Sequence, residues 1–204
     1  MLIDTTLEKF ELYDELMSTE CYSVRLFCHL NNIGYESNYS EIKPLNVANL
    51  EPLLFDPHTD FTIQGTWQCL QHLASDQQYS LWQISDNSKA EQWLKFNKKL
   101  NKCLGKLRLK HLTMSNLQPD EPKWIRQTHL LLQNLDDHLC DQNIKNQLWI
   151  ETSTHPSLLD VLVFPLVAVS YDAGIELHQF LHIRCWLRKI HQLEGFEPMP
   201  GLLA

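Results

Sequence analysis

No stretch of this 204-residue chain approaches the roughly 18 consecutive apolar residues that a membrane-spanning helix needs. The most apolar run, Val161–Val169, is short and is interrupted by Pro165. A secretory signal is also missing, because Asp4, Glu8 and Glu11 stand where a basic and then apolar segment would have to be. These absences predict a cytoplasmic chain with no membrane partner. Cysteine is present but ungrouped. Cys21, Cys28, Cys69, Cys103, Cys140 and Cys185 are scattered, mostly through apolar-periodic segments, and read as reduced core thiols rather than a disulfide framework. Basic charge is in the minority, 17 Lys and Arg against 25 Asp and Glu, for a net charge of -8. That balance argues against nucleic acid as the main partner. Internal repeats and low-complexity segments are lacking too. What remains, 44% hydrophobic and 21% charged, describes a globular chain of one or two domains with a sizeable core.

The first third mixes strand and helix signals, and the rest is almost wholly helical. Leu12–Asp14 reads as a short strand. After a tight loop comes an apolar-periodic helix with Val24, Phe27, Cys28 and Leu30 on one side. Tyr35–Ile42 alternates as a second strand. Pro52–Phe55 and Phe61–Ile63 flank the turn-rich Asp56-Pro57-His58-Thr59-Asp60, which signals a hairpin. Thr66–Ala74 returns to helical spacing. Residues 75–88 are polar and read as a linker. Helices are predicted at Ala90–Leu112, Trp124–Leu139, Ser157–Tyr171 and Gln179–Gln192.

Ser18 falls just ahead of the first helix, where free N–H groups and the helix dipole favour an anion. A thiolate is one such anion, so the segment reads either as a place to hold and ionise a thiol or as a plain N-cap at Ser18 or Thr19. Lys95, Lys98, Lys99, Lys102, Lys106, Arg108 and Lys110 form a basic run with no acid between its ends. A solvated helix face is the default for such a run, and a patch for anionic ligands or an acidic partner is the alternative. His178, His182 and Cys185 have helical spacing that suits a metal, yet Cys185 adjoins Trp186 and no fourth ligand is evident. No metal is expected.

Ser157-Leu158-Leu159-Asp160 has the form of a capping box. It follows Leu148-Trp149-Ile150 and His155-Pro156, and it leads into a long apolar helix. Ala173-Gly174-Ile175, Phe180–Trp186 and Gly195-Phe196-Glu197-Pro198-Met199 come after it. This succession resembles the C-terminal half of the bacterial glutathione transferase family, and Glu91-Gln92-Trp93-Leu94 is similar to the start of that family's helical domain. The resemblance spans residues 10–202. It implies a thioredoxin-like α/β domain (residues 1–76) followed by an all-helical domain (residues 86–204), and a homodimer. Ser18 falls on the catalytic serine of the serine-type members, with Cys21 three residues on. Asn46 falls on a loop asparagine, and Pro52 on a cis proline. Glu51, Pro52, Gly65 and Thr66 fall on the glutathione-binding positions, and Gln64 is the neighbour expected to reach the γ-glutamyl amine in place of the acid that Gly65 lacks.

The implied activity is conjugation of glutathione to a small hydrophobic electrophile, with Ser18 stabilising the thiolate. Cys21 is a rival nucleophile because redox relatives carry cysteine at the first position. Tyr13 is another candidate, although it does not fall on the tyrosine position of tyrosine-type relatives. Three departures thin the site. There is little room for the family's second helix before Asn46. Glu51 adds charge where an apolar residue is usual. The Glu-Ser pair that opens the last helix of the α/β domain appears as Gly65-Thr66. The departures favour a second expectation: a non-catalytic protein of the same fold that acts through protein interaction or in a stress response.

Overall fold

The computed structural model describes residues 9–39, 51–84, 86–114 and 120–200. Alternation sets the first strand. In β1 (Phe10–Asp14), Leu12 and Asp14 point into the protein while Tyr13 is 44% exposed. β1 pairs in parallel with β2 (Tyr35–Tyr39) and antiparallel with β3 (Leu53–Asp56). β3 turns back through the predicted hairpin into β4 (Phe61–Gln64), giving the order β2-β1-β3-β4. Leu12 faces Leu54 across the ladder, so the register brings two core side chains together.

The parallel pair needs a crossover, and α1 (Thr19–Leu30) supplies it. Cys21, Val24, Leu26, Phe27 and Cys28 are all buried, and Leu30 only partly so. α2 (Thr66–Leu73) follows β4 and buries Cys69, Leu70 and Leu73. The predicted linker is more structured than its composition suggests. A 3₁₀ helix spans Gln77–Trp82 and seats Trp82 edge-on against Phe27 and His155, with ring centroids 5.3 and 4.6 Å away.

The helical region opens with α3 (Asn87–Leu100), capped by the Asp86 carboxylate on the Ser88 and Lys89 N–H groups. A π-helical turn, Asn101–Gly105, joins it to α4 (Lys106–Thr113), so the helix expected at residues 90–112 is interrupted. α5 (Glu121–Ile144) has Pro122 in its first turn and outruns its predicted ends on both sides. α6 (Leu158–Ala168) has no polar face, and every residue from Leu158 to Val167 is buried. It lies against α1, α2 and α3, which makes it the shared core of the two halves. A 3₁₀ turn, Ser170–Ala173, continues where the sequence predicted α-helix. α7 (Leu181–His191) buries Ile183, Trp186 and Ile190. The architecture is a four-stranded mixed sheet with helices followed by an all-helical region, as the resemblance implied. None of the six cysteines is in a disulfide, and four of them are buried. Among the described residues no helix is long and apolar enough to cross a membrane.

Candidate functional site

The loop between β1 and α1 is held from two sides. Asp14, buried at the end of β1, pairs with Arg25 at 2.7 Å. The same guanidinium donates to the Leu16 carbonyl at 2.9 Å. From the helical region, Arg108 on α4 donates through Nη1 to the Met17 carbonyl at 2.7 Å and through Nε to Asp172 at 3.1 Å. Arg108 is only 2% exposed, which corrects its placement on a solvated basic face. Lys110 also departs from that face, turning to Glu121.

Ser18 is the N-cap of α1, and its Oγ accepts from the Cys21 N–H at 3.2 Å. The capping role is therefore the one the structure shows. The residue has no exposed surface. Packing thus encloses Ser18, and its oxygen serves the helix. Cys21 is buried as well, and burial raises its thiol to about 11, which argues against an ionised redox cysteine at neutral pH. Tyr13 is exposed on the strand and meets Leu53 across the ladder.

The next residue that matters is Glu20, which sequence reasoning missed. It lies in the first turn of α1, half-buried, and its Oε1 accepts from Asn101 Nδ2 at 2.9 Å. Burial raises its carboxyl to about 7, assisted by the charge of Glu51 and opposed by the Asn101 hydrogen bond. The only sequence signal was an acidic residue two places past Ser18; its partner is 81 residues away.

The predicted binding positions Glu51, Pro52, Gln64, Gly65 and Thr66 are brought together at the start of α2. Gly65 N–H donates to the Pro52 carbonyl at 3.0 Å, pinning the entry of β3 to the end of β4. Gly65 holds φ +96°, a conformation that favours glycine, and it leaves α2 without a side-chain cap. Thr66 is 8% exposed, and its Oγ1 is enclosed without a hydrogen-bond partner. Gln64 Nε2 reaches toward Glu51 Oε2 at 3.5 Å. Among the described residues no peptide bond is cis, which corrects the geometry that the resemblance implied for Pro52. Asn46 and the space allotted to a second helix lie outside the described residues.

Elsewhere, Lys95, Lys99, Lys102, Lys106 and Lys123 line two cavities of about 520 Å³ each between α3–α4 and α5. Neither is lined by the Ser18 loop. Among the described residues no group of three or more His, Cys, Asp or Glu side chains is placed to hold a metal, and His178 instead faces Glu176 at 2.9 Å.

No protein-family model matches this sequence, and no curated protein sequence matches it. Solved structures do match. A glutathione S-transferase from Xanthobacter autotrophicus superposes with a TM-score of 0.80 at 16% identity, over 95% of this chain and 98% of that one. A possible glutathione S-transferase from Rhodopseudomonas palustris gives 0.74 at 21% identity, over 94% and 98%. A glutathione transferase family member from Pseudomonas fluorescens, solved with two glutathione molecules bound, gives 0.73 at 18% identity, over 94% and 92%. The chain thus has the glutathione transferase fold over nearly its full length.

Proposed function

We propose that this chain binds glutathione where β3 and α2 begin and conjugates its thiol to a small hydrophobic electrophile. One observation carries the reading. Thr66 offers an enclosed, unpartnered hydroxyl at the uncapped start of α2, immediately after a glycine in a left-handed conformation. A buried polar atom left unpaired costs about 1–3 kcal/mol, so it calls for a partner. An α-carboxylate fits, because it would take the Thr66 hydroxyl and the α2 N–H groups together. Gly65 supplies no acid for the accompanying ammonium, and the Glu51 carboxylate, drawn toward Gln64, would take over that task. The Glu51–Pro52 backbone would then run beside the cysteinyl part. A fold neighbour with glutathione bound supports the choice of ligand.

Ser18 would act by fixing the α1 N-terminus toward which the sulfur points. A helix dipole offers an anion about 1 kcal/mol, less than one pKa unit. The electrophile would occupy the interdomain cleft, and a cytoplasmic homodimer is the form we expect. Retention on immobilised glutathione tests the reading: wild-type protein should be retained and Thr66→Val should flow through. Thr66→Val retained as tightly as wild type would defeat the assignment. The enclosure of Ser18 favours the second reading, an interaction protein without catalysis. That reading predicts no conjugation of a chloronitrobenzene at millimolar glutathione.

A further inference from the structure

The start of α1 carries one ionisable side chain that the proposed reaction has not used. We propose that Glu20 accepts the proton of the bound thiol, an inference that rests on the glutathione-binding reading above. Three placements carry it. Glu20 lies two residues beyond Ser18 in the first turn of α1, next to the amides that would face the sulfur. Its carboxylate is held from across the domain boundary by Asn101, which occupies the first position of the π turn. Gly105 makes that reach possible: a Cβ there would sit 2.2 Å from Asn101 Oδ1 and drive the amide away. π turns inside helices recur at functional sites, and here the extra residue aims one donor at one acid.

Glu51, at whose backbone the cysteinyl part is placed, is near enough to act on Glu20 by its charge. Glu51 and Asn101 are the groups that bear on the carboxyl, one charged and one neutral. Glu51 in turn accepts from Gln64, two residues before the unpartnered Thr66 hydroxyl. The step balances. The thiol S–H bond breaks, its proton bonds to a Glu20 oxygen, and the electron pair stays on sulfur. Glu20 becomes neutral as the sulfur becomes negative, so the site gains no net charge and the new thiolate meets no carboxylate there. Burial places the carboxyl close to neutrality, which suits a base working near pH 7.

The test follows thiolate absorbance on glutathione binding at pH 8, proton exchange with buffers of different ionisation enthalpy, and the pH–rate profile of conjugation. Wild-type protein should develop the thiolate band without releasing a proton to buffer. Glu20→Gln should bind glutathione within about threefold, lose the band, and lose about a hundredfold in rate at pH 7. Asn101→Ala, which removes a donor from the ionised carboxylate, should keep the band and move the rising limb of the profile to higher pH. Glu20→Gln with an unchanged band and profile overturns the proposal. So does an unmoved limb in Asn101→Ala. Failure of wild-type protein to bind glutathione at all instead removes the binding reading, and this inference with it.

Discussion

The four hydrogen bonds that converge on Asp160 make a quantitative test of the helical core. Asp160 has no exposed surface. Its Oδ1 accepts from Ile150 N–H at 3.0 Å and from Trp186 Nε1 at 2.8 Å, and its Oδ2 accepts from the N–H and hydroxyl of Ser157 at 2.9 and 2.8 Å. One carboxylate thus joins the loop before α6, the start of α6 and the middle of α7. Asp160→Asn keeps an oxygen for Ile150 and Trp186 but turns an NH₂ toward Ser157. The Ser157 hydroxyl can rotate and accept. Its N–H cannot, and it is left facing another donor. Two unsatisfied buried donors at about 1–3 kcal/mol each, offset in part by relieving a buried charge, give a loss of about 2–4 kcal/mol. For a chain of this size that lowers Tm by roughly 5–15 °C. Urea unfolding followed by tryptophan fluorescence would read it directly. A loss below about 1 kcal/mol would refute the reasoning. A cycle of Asp160→Ala with Trp186→Phe should also show coupling of about 1 kcal/mol, and strict additivity would tell equally against it.

Ser18→Ala should cost about 1 kcal/mol by urea unfolding while glutathione retention persists, since the hydroxyl serves the cap. Loss of retention in a stably folded Ser18→Ala would restore a direct role for that oxygen. Arg108→Met should cost about 2–3 kcal/mol by the same measurement, because the Met17 carbonyl and Asp172 lose a buried donor together. Gly65→Ala meets both the positive φ and Gln68 Oε1 at 2.6 Å from the new methyl; a stability loss of about 1 kcal/mol or more is expected. Burial of Asp56 favours its protonated form, but hydrogen bonds from His72, the His58 N–H and Thr59 outweigh it and hold the carboxyl below its usual range. The folded state therefore binds that proton less tightly than the unfolded chain. The stability it adds is complete above about pH 4 and is lost as pH falls below that value. His72→Leu should flatten this acid limb in a pH series of thermal melts.

Local chemistry made much of the fold legible. Alternation from Tyr35, the Asp56–Asp60 turn, the Ser157–Asp160 box and the 3.6-residue spacing of α1 and α5 each act within a few residues, and each forms. The misreadings share one cause, a partner distant in sequence. Arg108 looked like one more cation on a basic face because Asp172 lies 64 residues on and Met17 lies 91 back. Trp82 was lost in a polar stretch because Phe27 and His155, which fix it, come from elements on either side. The π turn was invisible because its five residues continue the helical pattern, and the close approach of Asn101 to Gly105 within it appears only in three dimensions. At the candidate site, Gln64–Thr66 were picked out by likeness alone. The enclosure of Ser18 could not be read, since burial of a small hydroxyl is decided by what packs over it.

The two arginines explain how a loop with so little regular structure is held in place. Arg25 holds the Leu16 carbonyl from within the α/β half, and Arg108 holds the next carbonyl, Met17, from the helical half. Both arginines are almost fully buried, so breaking either bond strands a desolvated guanidinium donor. The start of α1 is therefore fixed to both halves at once. Asn101 reaches Glu20 over the same boundary, which makes the environment of the Glu20 carboxyl a property of domain packing rather than of the loop alone. Apolar α6 packs against α1, α2 and α3, so the two halves share one core, and the Arg108 and Asn101 bonds add direction to that packing. Polar bonding across the boundary sets the register of the site, and apolar packing supplies the cohesion.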